Sequence, residues 1–283
     1  MNLLMVGSGK GVWEIRGLQL GGALGARLRE YPTPDDFAWA DVVILVKRAA
    51  LAYATRVHAL GKPLIWDPVD AWSQPGQNHY TEREARAWLQ AEIAQRRPTR
   101  TMGATQAMTD AIGPGGVYLP HHHRVGLQAR APRPEIQVVA YDGRPDYLGQ
   151  WRGVLERLCA ARRWRFAINP PDLSEADLFV ALRDSAWDGY MPRAWKSGVK
   201  VVNAIAAGRP ILSQEMASAR EIRPLGHTCI ETVAELEAAL DAWRDYDRRL
   251  AVAEWCAAEA PKHIVTAVAA YYRGVLEEVL CPA

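Results

Sequence analysis

Two phrases of apolar residues each occur twice along the chain. Ala40–Val46 (ADVVILV) and Gly61–Asp67 (GKPLIWD) in the first half are matched by Ala176–Leu182 (ADLFVAL) and Gly208–Gln214 (GRPILSQ) in the second. Continuous apolar runs of this length, bounded by turn residues, are what a parallel sheet covered on both faces requires. The segments between them read as helices. Both halves also open alike, with a strand running into a glycine turn: Asn2–Gly11 (NLLMVGSGKG) and Ile136–Tyr147 (IQVVAYDGRPDY). Alternating strands and helices predict an α/β protein of two units, each built on a parallel sheet. The proline-containing stretch Arg130–Glu135 (RAPRPE) reads as a linker. It divides the chain into an N-terminal domain, 1–135, and a C-terminal domain, 136–283. A last helical pattern at 262–280 either caps the second domain or crosses back to the first.

One helix carries polar residues that a core-packed helix does not need. In Trp195–Glu215 (WKSGVKVVNAIAAGRPILSQE), Val199, Val202, Ile205 and Ala206 form an apolar stripe. Lys196, Lys200 and Asn203, four and seven residues apart, share another face. Gly208 is placed to end the helix in a left-handed conformation before an apolar strand. With Ser197 as N-cap, the free N–H groups of Gly198, Val199 and Lys200 point with the Lys196 ammonium toward one place, an anion site. Asn203, about two turns along, is spaced to meet a sugar hydroxyl. The competing reading is a solvated helix face.

Other motifs are less specific. Gly7–Gly11 (GSGKG) is no P-loop, because Gly11 rather than Ser or Thr follows the lysine, and its spacing is not GxGxxG. It reads as a flexible turn, or as part of a ligand site with Lys10, Glu14 and Arg16 at the carboxyl end of a strand. Trp66–Trp72 (WDPVDAW) sets Asp67 and Asp70 beyond another strand end, as a general base and a hydroxyl-holding group or as an Asp-Pro turn and helix cap. Three adjacent histidines, His121, His122 and His123, cannot all converge on one ion, so a polar turn between domains is expected and a metal is not.

The chain has 283 residues, 49% hydrophobic and 23% charged, the composition of a folded soluble protein. Its net charge of +2 divides unevenly: residues 1–140 hold 16 Lys+Arg against 12 Asp+Glu, and the remainder holds 18 against 20. Cys159, Cys229, Cys256 and Cys281 form no CxxC pair, so a reducing cytoplasm is expected. No leader or membrane span is read from the sequence.

Lys196–Ser213 (KSGVKVVNAIAAGRPILS), with VVAYDGRPDY and EADLFVAL upstream, resembles the donor-binding domain of GT-B glycosyltransferases of the large group-1, family 4-like set. KPLIWDPVDAW, TRTMGATQAMTDAI and GVYLPHHH follow in the order such enzymes show. The resemblance implies two Rossmann-like domains facing across a cleft and transfer of a sugar, without a cofactor or metal, from a UDP-linked nucleotide-sugar donor. Arg144 and Lys196 would neutralise the diphosphate, with Ser197, Gly198 and Lys200 beside them. Asn203 would stand where the family places a ribose-binding glutamate. The glutamates that the family sets eight residues apart fall on Trp195 and Asn203, so the acidic pair is missing. Asp67, Asp70, Glu14 and His79 are the candidates for base or acceptor-orienting group, and Lys10, Trp13 and Arg16 for the acceptor side. A glycan, a lipid-linked sugar, a small molecule and DNA carrying a hydroxymethylated base are the acceptors considered. A nucleotide-sugar epimerase and a non-catalytic nucleotide-sugar or nucleic-acid binding module are the alternatives.

Overall fold

The computed structural model describes residues 1–9, 11–70, 81–185 and 193–280. They form two compact units: Met1–His121 with Gly189–Ser197 and Ile264–Ala283, and His122–Asp188 with Gly198–His263. Each holds one parallel sheet, as the repeated phrases predict.

The first sheet contains β1 (Leu3–Val6), β2 (Arg27–Arg29), β3 (Val42–Val46), β4 (Leu64–Asp67), β5 (Arg100–Gly103) and β6 (Gly116–Tyr118) in the order β2-β1-β3-β4-β5-β6. Every residue of β1, β3 and β4 is buried, because both faces are covered. One face (Leu4, Val6, Val43, Leu45, Trp66) packs with Phe37 of α2 (Pro34–Trp39), Val57 of α3 (Leu51–Ala59), Leu89 of α4 (Glu82–Arg96) and Met108 of α5 (Gln106–Ile112). The other (Leu3, Met5, Ile44, Ile65) packs with a π-helix, Trp13–Gly21, and with Val268, Tyr272 and Leu276 of the C-terminal helix. That helix therefore completes the first unit. The π-helix runs into a short α1 (Gly22–Leu24). Trp13 lies over Gly17, where a Cβ would fall 2.1 Å from the indole, so only glycine admits this packing.

The second sheet contains β7 (Val138–Tyr141), β8 (Arg165–Ile168), β9 (Leu178–Ala181), β10 (Ile211–Ser213) and β11 (His227–Cys229) in the order β11-β10-β9-β7-β8. Its helices are α6 (Gln150–Ala161), α7 (Val199–Ala207), α8 (Ala217–Ile222), α9 (Val233–Ala242) and α10 (Tyr246–Glu259); α11 (Val265–Leu280) is the C-terminal helix. Gly208 ends α7 at φ 70°, the left-handed stop expected. Cys159, Cys229 and Cys256 are free thiols. No helix among the described residues is long and apolar enough to cross a membrane.

The proline-containing stretch belongs to the second unit, and buried arginines hold it there. Arg249, 2% exposed, donates to the carbonyls of Trp243 (2.6 Å), Arg244 (2.9 Å), Arg133 (2.8 Å) and Pro134 (2.7 Å). Arg209 donates to Ala176 (2.6 Å), Arg130 (2.9 Å) and Ala131 (3.3 Å). The chain accordingly passes between units at His121/His122, upstream of the prolines.

Arg249→Met keeps much of the volume but strands four carbonyls. A stability loss of about 3 kcal/mol is expected, with faster hydrogen exchange in 130–135 and no rescue by Arg249→Lys, which lacks the planar fork. Unchanged melting and exchange in Arg249→Met would show that the arginine does not anchor the segment.

Candidate functional site

In an open parallel sheet, a crevice forms where the strand order reverses, outside the carboxyl ends of the two strands that flank the reversal. In the second unit that point lies between β7 and β9, because β8 sits beyond β7 while β10 and β11 continue from β9. The loop leaving β7, 142–149, meets the first turn of α7 at Gly143, and the loop leaving β9, 182–184, carries Arg183, whose charge acts on Lys200.

Tyr141, the last residue of β7, is fully buried, and its hydroxyl donates to the Arg144 carbonyl at 3.1 Å. Burial pushes the phenol up to about 12, so the ring stays neutral. The Lys200 ammonium lies 4.0 Å from the centre of that ring, a cation–π contact. It also lies against Gly143, where a Cβ would come within 3.0 Å of Nζ. Burial, and after it the nearby Arg183 charge, lower the Lys200 pKa to about 7 against a smaller opposing effect of Asp142.

Arg183 follows β9 and stacks 4.3 Å from the centre of the Tyr147 ring. Its backbone is fixed at both ends: the N–H donates to Gln214 Oε1 at 3.0 Å and the carbonyl accepts from Trp151 Nε1 at 3.1 Å. The β7 loop is equally braced, since the Asn169 amide accepts from Gly143 N (2.7 Å) and donates to Gly143 O (2.9 Å). Beside the start of α7, the hydroxyl of Ser218 is buried without a hydrogen-bond partner. Gly198 makes room for it, because a Cβ there would stand 2.9 Å from Ser218 Cβ. Lys200, with Arg183 close enough to oppose its charge, thus lies with the start of α7 at the carboxyl ends of β7 and β9.

The sequence-predicted residues are distributed unevenly around this crevice. Lys200 and Gly198 belong to it. Arg144 is on its rim, exposed, 3.2 Å from Asp146 and 5.1 Å from the centre of the Tyr147 ring. The N-cap of α7 is Gly198 rather than Ser197, and no side chain caps it. Because α7 begins at Val199, Lys196 lies ahead of the helix and shares no face with Lys200; both Lys196 and Ser197 cluster with the first unit. Asn203 is 3% exposed and commits both ends of its amide, accepting from Arg124 N at 2.8 Å and donating to Asp142 Oδ2 at 3.2 Å. It thus braces the β7 loop. Arg183 escaped the sequence reading, although a cation directly after an apolar strand run was its signal.

In the first unit, Arg16 is fully buried, donating to Leu119 O (2.8 Å) and Pro120 O (3.0 Å) and lying 3.6 Å from Asp67. Asp67 is 2% exposed and accepts from Val69 N at 3.0 Å; burial raises its pKa against the pull of Arg16. Trp13 is a core residue, whereas Glu14 is exposed. Asp70 is partly buried and paired with Lys47 at 2.6 Å. Lys10 and His79 lie outside the described residues. His121, His122 and His123 are buried, and the rings of His122 and His123 bond through Nδ1 to the carbonyls of His123 and Arg124. Among the described residues no group of three or more His, Cys, Asp or Glu is placed to hold a metal ion.

No protein-family model matches the chain, and no curated protein matches it by sequence. Solved structures do. HepE of Anabaena, in complex with UDP and glucose, superposes with a TM-score of 0.71 at 14% identity over 98% of this chain and 99% of its own. AviGT4, a glycosyltransferase involved in avilamycin A biosynthesis, gives 0.59 at 12% identity over 100% and 99%. The UDP-forming α,α-trehalose-phosphate synthase of Burkholderia vietnamiensis gives 0.57 at 11% identity over 83% and 71%. The likeness establishes the fold as GT-B, with its two Rossmann-like domains.

The depressed Lys200 pKa has a definite sign in stability. Between about 7 and the ordinary lysine value of 10.5 the unfolded chain binds a proton that the folded chain does not, so folding gains stability as pH rises through that window. Lys200→Met abolishes this dependence. Its melting temperature relative to the parent is expected to be highest near pH 6 and to fall steadily toward pH 10. A constant difference across that range would place the ammonium in water.

Proposed function

We propose that the chain is a nucleotide-sugar-dependent glycosyltransferase of the group-1 type whose donor, a UDP-sugar, binds in the crevice between β7 and β9. The observation that carries this reading is the juxtaposition of Lys200 and Arg183, each held on a tyrosine ring at the reversal of strand order. Holding two like charges together costs free energy, and a diphosphate bridging them would relieve it. The fold shared with HepE, which was solved with UDP and glucose, supports a nucleotide-sugar over other diphosphates.

In the reaction the bond from the sugar's anomeric carbon to the diphosphate oxygen breaks and a bond to the acceptor oxygen forms. The electron pair of the broken bond leaves on the diphosphate. Lys200, Arg183 and the free N–H groups of α7 meet that developing charge, and Arg144 adds a cation at the rim. Asn203 contributes by positioning Asp142 and the β7 loop. The acceptor proton passes to a base, for which the exposure of Glu14 and the partial exposure of Asp70 suit them better than the buried Asp67.

A charge-assisted contact is lost in Arg183→Ala, so UDP affinity measured by calorimetry is expected to fall about 10- to 100-fold. At about pH 8.5, where phosphate groups are fully ionised, Lys200 is largely neutral in the free protein. UDP binding is then expected to take up a proton, read from the dependence of the binding heat on buffer ionisation, and Lys200→Met removes the uptake. UDP binding with neither effect places the diphosphate elsewhere. A panel of UDP-sugars, scored for UDP release with and without acceptors, tests the reaction itself. Release that requires an acceptor supports transfer, whereas donor conversion without one means an epimerase, and binding without turnover means a binding module.

A further inference from the structure

The amino ends of the second sheet carry a pocket that the donor crevice, at the carboxyl ends, leaves unused. It has a volume of about 290 Å³ and is lined by Pro134, Glu135 and Ile136 ahead of β7, Arg162 and Trp164 ahead of β8, and Arg244 between α9 and α10. β7 and β8 run parallel, so this pocket and the crevice lie at opposite edges of one sheet. All six residues belong to the second unit.

The walls are fixed from behind. The buried Arg249 donates to the carbonyls of Pro134 (2.7 Å) and Arg244 (2.9 Å), so one side chain holds two of them. The third hangs on the end of α6. Arg163, left-handed at φ 60°, turns the chain there, and the Trp164 N–H donates to Cys159 O at 2.9 Å. Arg162 is fixed three ways, donating to Leu158 O (3.0 Å) and, through two nitrogens, to both oxygens of Asp241 (2.9 and 2.8 Å). Ile136 is buried, and Trp164, partly buried, packs on the core of the unit.

Within this frame the indole is the large apolar surface. The guanidinium carbons of Arg162 and Arg244 stand 5.8 and 5.6 Å from the ring centre, beyond the about 3.5–4.0 Å of direct contact, so neither lies flat against it. Both signs of charge border the ring: the guanidiniums offer donors, and Glu135 and Asp241 offer acceptors. Arg244 pairs with Asp241 only loosely, at 3.9 Å. An anion entering here meets carboxylates along with guanidiniums, and a cation the reverse. Hydroxyl groups donate and accept at once, and so use both. A ring whose face is carbon and whose edge is hydroxyl also covers the indole, removing apolar area from water.

We propose that this pocket is a saccharide site, separate from the donor crevice, that takes one neutral sugar ring with its carbon face on Trp164 and its hydroxyls on Arg244, Arg162 and Glu135. The proposal does not rest on the glycosyltransferase reading. The volume is at the small end of ligand pockets and holds one ring rather than an extended chain.

The test is nitrogen–proton correlation NMR of the full chain titrated with glucose, galactose, mannose and N-acetylglucosamine, with glucuronate as the acidic control. The indole resonance of Trp164, identified as the one missing from Trp164→Phe, is expected to shift saturably with at least one neutral sugar. Binding is expected to be indifferent to salt, no tighter for glucuronate than for glucose, and unchanged by excess UDP. Affinities of the variants are read from saturation transfer to the sugar protons. Trp164→Ala is expected to weaken binding about tenfold and Arg244→Ala about threefold, whereas Trp164→Phe, which keeps an aromatic face, stays within about threefold of the parent. Arg244 is exposed, so its variant remains informative if Trp164→Ala does not fold. No saturable shift with any neutral sugar overturns the proposal. So does tighter, salt-sensitive binding of glucuronate, which makes the pocket an anion site. Sugar binding that UDP displaces, or that Trp164→Ala and Arg244→Ala both leave intact, places the sugar elsewhere and overturns it too. None of these readings needs UDP to bind, so a failed donor crevice leaves the test standing.

Discussion

A strand buried on both faces has no side on which to carry a charge, so polar chemistry is confined to its ends. β1, β3, β4, β7 and β9 are such strands, with every residue buried. The charged groups described above stand where those strands stop: Lys47 after β3, Asp67 at the tip of β4, Asp142 after β7 and Arg183 just beyond β9. Parallel pairing places all these ends on one edge of each sheet, and the reversal of strand order opens a crevice between two of them. The pair of cations on tyrosine rings and the buried Asp67 carboxylate thus share one cause.

The same burial decides how much could be read from the sequence. ADVVILV, GKPLIWD, ADLFVAL and GRPILSQ reveal strands because continuous apolar runs depend only on local residues. The passage between units is invisible at that level. It is fixed by Arg209 and Arg249 reaching carbonyls at 130–134, contacts between positions up to 116 apart, which leave no periodic trace. Side-chain roles in α7 were legible only in part. Lys200 could be located, but Asn203, on the same helix, has its amide turned to Arg124 and Asp142, and seven consecutive residues from Val201 to Ala207 are buried. A helix buried on all sides shows no polar face from which direction can be judged. Arg16 and Asp67 likewise look like site residues in sequence, and the sequence carries no signal that both are buried.

Four arginines, Arg16, Arg96, Arg209 and Arg249, are at most 5% exposed. Each donates to backbone carbonyls that lack strand partners. Arginine suits this use because its donors form a planar fork and its charge is retained even when buried. These residues account for part of the positive charge of the chain without adding to its surface, and the buried Asp36, Asp67 and Asp177 largely offset them.

Lys200 is counted as a cation in the formal charge of the chain, yet with its pKa lowered to about 7 a substantial share of it is free amine near neutrality. An uncharged amine has an available lone pair, which makes Lys200 a nucleophile at a pH where ordinary lysines are blocked by their proton. Acylating reagents and aldehydes will therefore modify this lysine ahead of exposed ones such as Lys262, provided they are small enough to reach an ammonium seated on the Tyr141 ring. An anion placed beside Lys200 would favour its protonated form and suppress that reactivity, so under the proposed donor site the chemical behaviour of one side chain would report occupancy.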